Sequence, residues 1–183
     1  MSSSPLQRYQ QDLRQEGFFA DPAQRNAVEK LQGVYEQLIA AREVKTGLFD
    51  RLRGRQQRHV PVKGLYFWGG VGRGKTYLMD NFYESLPFEQ KMRVHFHRFM
   101  RRVHRDLTKH GGVKNPLEKV AAGIAKDARV ICFDEFFVSD ITDAMILGGL
   151  MELLFARGVT LIATSNIVPD KLYTNGLQRQ RFL

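Results

Sequence analysis

Apolar positions along this chain recur with two spacings, and the switch between them divides the sequence. Asp21-Pro22 opens a helical pattern: Asp21 suits the cap, Pro22 the first helical position and Gln24 the far end of a capping box. Val28, Leu31, Tyr35 and Leu38 then give that helix one apolar face. Gly64 to Trp68 is a short aromatic run bounded by glycine, which predicts a buried strand. Tyr77 to Leu86 returns to helical spacing through Leu78, Phe82 and Leu86, and Pro87 stops it. Arg93 to His97 alternates polar and apolar, as a strand does. The following helix carries Phe99, Val103 and Leu107 on one side and Arg98, Arg102, Arg105 and Lys109 on the other, and ends at Gly111-Gly112.

A further helix is predicted over Pro116–Ala128, with Leu117, Val120, Ala121 and Ile124 inward. Val130 to Phe133 is uninterruptedly apolar and predicts a strand buried on both faces. Ser139-Asp140 can cap a long helix from Ile141 to about Arg157, with Ile141, Met145, Leu150 and Leu154 among its apolar positions and Gly148-Gly149 allowing close packing. Val159 to Asn166 is a fourth strand with polar residues at its end. Strands alternating with helices predict an α/β fold with a mostly parallel sheet between helical layers. Residues 1–20 are polar with scattered apolar side chains and read as a loosely held arm, and 43–62 as a basic connector. The predicted organisation is an arm, helix and connector over residues 1–62, then a core over 63–183.

Composition bounds the class. A chain of 183 residues, 43% hydrophobic and 26% charged, can bury a sizeable core as one domain. The apolar run 144–156 is too short to span a membrane and is broken by Glu152; the first residues lack the apolar stretch of a signal peptide. A single cysteine, Cys132, excludes an internal disulfide framework and fits a reducing compartment, so a cytoplasmic location is expected. The net charge of +9 raises nucleic acid as a partner. Arg51, Arg53, Arg55, Arg58 and Lys63 crowd one stretch, and residues 91–109 hold seven basic side chains against one acidic. A solvated face or contacts to an acidic protein account for both, so nucleic acid is a possible partner but not the favoured one. Histidines at 95, 97, 104 and 110 come without a cysteine or carboxylate pattern and read as ordinary surface and strand residues rather than metal ligands.

Candidate chemistry concentrates in three places. Gly69-Gly70-Val71-Gly72-Arg73-Gly74-Lys75-Thr76 has the spacing of a phosphate-binding loop between a strand and a helix. Glycines let the backbone wrap closely around a triphosphate and aim its N–H groups inward, and the helix start favours the same anion. Lys75 can reach the β- and γ-phosphates, and the Thr76 hydroxyl can ligate Mg²⁺. Asp134 and Glu135 fall at the carboxyl end of the apolar strand, where ligands bind in parallel sheets. Asp134 suits Mg²⁺, and Glu135 is placed to polarise a water for attack on a γ-phosphate, which argues against a small-molecule kinase. Asn166, at the tip of the fourth strand, can orient that water or sense the phosphate, unless it only caps a turn.

Together, the phosphate loop, Val130–Glu135 and Ala163–Asn166 resemble the Walker A, Walker B and sensor-1 elements of AAA+ ATPases. Longer strings, Gly64–Thr76, His95–Met100, Cys132–Ala144 and Asn175–Leu183, resemble the family of bacterial cell-division AAA+ ATPases and their mitochondrial relatives. The resemblance implies a P-loop αβα fold, ATP and Mg²⁺ as ligands, and homo-oligomers with shared active sites. It further implies action with septal proteins on the tubulin-like division ring. It also implies an arginine finger supplied to a neighbour, for which Arg181 and then Arg179 are the candidates, and a substrate-gripping position at Phe99 and Met100, where core packing of Phe99 is an equal alternative. Family members continue into a small helical lid, which is expected to lie outside this sequence. The alternative function is a nucleic-acid-associated ATPase of helicase-loader type using the basic stretches.

Overall fold

The computed structural model describes residues 3–43, 62–138 and 140–172. Four strands, β1 (Leu65–Trp68), β2 (Lys91–His95), β3 (Val130–Asp134) and β4 (Thr160–Ser165), are all parallel and lie side by side in the order β1-β4-β3-β2. The helices are α1 (Pro5–Asp12), α2 (Pro22–Glu43), α3 (Lys75–Ser85), α4 (Phe96–Lys109), α5 (Pro116–Asp127) and α6 (Ile141–Ala156). Helices cover both faces of this sheet, giving the expected three-layer αβα arrangement. Its strand order sets the ends of β1, β4 and β3 next to one another, so the phosphate-loop sequence and both polar strand ends share one rim of the sheet.

The period-two alternation of the strands builds a core on each face. Ile131, Phe133 and Ala163 point into a cluster with α4, α5 and α6 that includes Phe99, Val103, Ile124, Leu150 and Leu154. Val130, Cys132 and Ile162 point the other way, onto Val28, Leu31, Met79 and Phe82 of α2 and α3. Burial pushes the Cys132 thiol up to about 12, so it sits there as a neutral small side chain. Gly149 brings α6 against α5: a β-carbon there would approach Leu117 Cδ2 at 3.2 Å.

Several expectations are corrected. The described part of the expected arm, from residue 3 on, is not loose: Ser4 caps α1 in a reciprocal capping box, and Tyr9, 2% exposed, is buried with α2 and α3. The strand expected at 93–97 runs over 91–95. Helix α4 begins directly at Phe96, because that ring packs edge-on to Phe133 and against Phe136 at centroid distances of 5.6 and 4.7 Å. β1 is half-buried rather than buried, since among the described residues it pairs with β4 alone, and Trp68 is exposed. Of the apolar positions on α6, which the sequence left without an assigned face, Ala144, Leu147, Leu150 and Leu154 are buried and Ile141 and Met145 face outward. Phe99 and Met100 are each 1% exposed, so they are core residues and not a substrate-gripping pair. The arginines at 51–58 and those at 179 and 181 lie outside the described residues.

Candidate functional site

The chain leaves β1 at Trp68 and turns through the glycine loop into α3. Gly74 is the N-cap of α3 with φ 72° and ψ 18°, a left-handed conformation that costs glycine little. A β-carbon at Gly74 would also run into the Gln24 side-chain amide, so the start of α2 lies directly against the loop. The Asp21 carboxylate caps α2 by accepting from the N–H of Ala23 at 2.7 Å and of Gln24 at 3.3 Å. At the other end of the loop, the Gly69 N–H donates to the Ser165 carbonyl at 3.2 Å, tying the loop to the end of β4.

This loop forms one wall of a cavity of about 640 Å³. Val71 to Tyr77 line one side, and Arg93, His95, Asp134, Glu135 and Thr164 to Asn166 line the other. The sheet therefore brings the three sequence-predicted groups to one opening: phosphate loop, acidic pair and strand-tip asparagine. Lys75 Nζ donates to the carbonyls of Gly69 and Gly70 at 2.6 and 2.7 Å, folding its charge back over its own loop. Thr76 is exposed to the cavity.

Asp134 ends β3 with its side chain 17% exposed. Arg93 engages both its oxygens, Nε to Oδ2 at 2.8 Å and Nη2 to Oδ1 at 3.4 Å, and also bonds Asp80 of α3. Glu135 has φ 54°, a left-handed conformation for a side chain that normally avoids it. Its neighbours enforce the strain: the Phe136 N–H donates to Thr164 O at 2.7 Å, the Ser165 hydroxyl donates to Phe136 O at 2.7 Å, and Phe136 is buried. The turn throws the Glu135 carboxylate outward, 79% exposed, with His95 Nδ1 3.9 Å away. That His95 nitrogen is buried without a hydrogen-bond partner, and the ring stacks on His97. His104, by contrast, lies 2.6 Å from Asp143, away from the site. A second hollow of about 380 Å³ shares Glu135, Ser165 and Asn166 and is otherwise walled by Phe96, His97, Phe136, Phe137 and Ile167.

The residues fit a magnesium–nucleoside triphosphate. Glycine N–H groups and the first turn of α3 suit the polyphosphate, and the Thr76 hydroxyl and Asp134 carboxylate are the hard oxygen donors that Mg²⁺ prefers. Sequence reasoning missed Arg93 and His95 as parts of the site. The signal for them was the basic period-two row Lys91, Arg93, His95, but only the β2–β3 register sets it beside the acids, pairing Arg93 with Cys132 and His95 with Asp134.

The AFG1-like ATPase family model matches residues 3–183. The cell division protein ZapE of Escherichia coli is 54% identical over 190 aligned residues, covering 100% of this chain and 51% of that protein. The chain thus spans about half the length of that relative. Lactation elevated protein 1 homolog B of Danio rerio is 47% identical over 134 residues, covering 67% of this chain and 27% of its own length. Among solved structures, AMPPCP-bound DnaA from Aquifex aeolicus superposes with a TM-score of 0.57 at 18% identity, covering 91% of this chain and 45% of that one. That last likeness shows the fold alone. Among the described residues, no helix is long and apolar enough to cross a membrane.

Proposed function

The chain belongs to the AFG1-like ATPase family, and from that premise we propose that it binds and hydrolyses ATP in this cavity and uses the turnover to remodel a protein assembly. The observation that carries the reading is the single opening shared by the glycine loop, Asp134, Glu135 and Asn166. By likeness to the division protein, the assembly is the tubulin-like division-ring polymer, and the protein works in the cytoplasm, recruited to the septum.

ATP is the substrate. The loop N–H groups cradle its phosphates, and Lys75 exchanges two carbonyl partners for phosphate oxygens. Thr76 and Asp134 would hold Mg²⁺, which supplies neutralisation of charge on the β- and γ-phosphates. Glu135, exposed and aimed into the opening, takes a proton from water as the water oxygen bonds to the γ-phosphorus and the bond to ADP breaks. Asn166 orients that water. Arg181, with Arg179 as the alternative, would reach a neighbouring subunit's phosphate in a homo-oligomer, because guanidinium forks onto phosphate oxygens. Mixing Lys75→Ala with Arg181→Ala full-length protein should then restore part of the turnover that each lacks alone.

The reading is tested by two variants of the full-length protein. Lys75→Ala should lose tight ATP binding while remaining folded. Glu135→Gln should keep binding and lose about 10²–10⁴-fold in hydrolysis, the usual worth of a general base. Wild-type affinity in Lys75→Ala, or undiminished turnover in Glu135→Gln, overturns the assignment.

A further inference from the structure

Arg93 takes part in none of these steps, yet its guanidinium joins two carboxylates on separate elements. It grips both oxygens of Asp134 on β3 and one oxygen of Asp80 on α3, the helix that the phosphate loop opens. Asp134 is 17% exposed and Asp80 48%. Burial alone would lower the Arg93 pKa, but the hydrogen bonds to Asp134 and Asp80 reverse this and hold it above its usual value, so the group stays charged.

A carboxylate as enclosed as Asp134 is costly without a cation facing it. Arg93 already engages both Asp134 oxygens, and a guanidinium and a divalent cation on one carboxylate repel each other, so each disfavours the other there. Asp80 changes what that repulsion costs, because a guanidinium leaving Asp134 still has a partner and is not left buried and bare. Lys91, on the same face of β2, cannot replace it: its ammonium donates to Tyr83 O at 2.7 Å and Leu86 O at 2.9 Å, at the far end of α3.

We propose that Arg93 is a positioning residue that holds the Asp134 carboxylate in the metal-free site and yields it to Mg²⁺ while Asp80 retains the guanidinium, so that the Arg93–Asp80 pair sets the Mg²⁺ concentration the site requires. This rests on the nucleotide reading of the cavity. It assigns Asp80 a function that neither its spacing nor its half-exposed position suggests. It also makes the first helix after the loop responsive to whether metal has arrived, since Asp80 then holds Arg93 alone.

The test measures binding of a fluorescent non-hydrolysable ATP analogue to full-length protein as free Mg²⁺ is raised in a chelator-buffered series. Arg93→Gln removes the competitor and should lower the half-saturating Mg²⁺ by about fivefold or more, a typical size for coupling between two bound groups. Asp80→Asn commits Arg93 to Asp134 and should raise it by a similar factor. Arg93→Lys keeps the charge but cannot fork, so it should move with Arg93→Gln; recovery of the wild-type value would mean that only the local field matters, and the proposal fails. Any other pattern among the variants also overturns it. Should Arg93→Gln lose its fold, Asp80→Asn decides alone, and an unraised requirement refutes the idea. If wild-type protein binds no analogue at any Mg²⁺ level, the nucleotide reading itself falls first.

Discussion

Glu135 offers a test in which catalysis and stability move in opposite directions. Its φ of 54° is forced because β3 ends at Asp134, while Phe136 is already bonded to β4 and buried, leaving one residue in which to turn. A left-handed residue other than glycine costs about 1–2 kcal/mol, and asparagine, several-fold enriched in that region, should recover about 0.5–1 kcal/mol of it. The carboxylate makes no close bond to offset this, with His95 Nδ1 at 3.9 Å. Glu135→Gln removes the charge and keeps the strain; Glu135→Asn removes the charge and part of the strain. For a chain of 183 residues, each 1 kcal/mol moves the melting midpoint by about 2–4 °C. Glu135→Asn should therefore melt about 1–4 °C above Glu135→Gln in nucleotide-free thermal scans, while both lose hydrolysis alike. An asparagine variant that melts no higher than the glutamine variant would refute the claim of stored strain.

Three further outcomes are expected. Asp140 caps α6, accepting from the N–H groups of Asp143 at 3.2 Å and Thr142 at 2.7 Å, and these bonds hold its carboxyl below the ordinary 3.8. A depressed folded pKa gives stability that is full above the ordinary value and lost as pH falls through the folded one. Asp140→Ala should thus melt below wild type at neutral pH, with the gap closing under pH 3.8; a gap independent of acid refutes the cap. Gly64→Ala puts a β-carbon onto the Leu161 carbonyl oxygen, a backbone atom that cannot swing aside, and should cost about 1–3 kcal/mol in urea unfolding. Met100→Ala should cost about 2–5 kcal/mol, since the side chain is fully buried, and a neutral result would return it to the surface role.

Much of this fold was legible because its signals are local. The glycine loop, the apolar run ending in Asp134-Glu135 and the Asp21 and Asp140 caps each depend on residues a few positions apart. The faces of α6 could not be read from the sequence because a helix so apolar offers no polar stripe to break the symmetry; what it packs on decides that Ala144 and Leu147 turn inward and Met145 outward. Residues 1–20 look solvated until Tyr9 meets Phe18 and Tyr77 across the chain, at ring distances of 6.0 and 6.4 Å. Arg93 was invisible as a site residue for the same reason: Asp80 and Asp134 are 13 and 41 positions away, and it takes the β2–β3 register to bring Arg93 to Asp134 and the packing of α3 to bring it to Asp80.

The basic row on β2 has one more effect, on how the sheet meets other chains. Among the described residues β1 and β2 are its two outer strands. Exposed strand edges template aggregation, and inward-pointing charges are one way proteins blunt them. β2 carries Lys91, Arg93 and His95 on its inner face, each tied to a group within the molecule or beside one, so a foreign strand laid along it would meet fixed charge. β1, reading Leu65-Tyr66-Phe67-Trp68, has no such guard. Among the described residues, strand-on-strand association thus has a closed side and an open one, and the open side is the strand that leads into the phosphate loop.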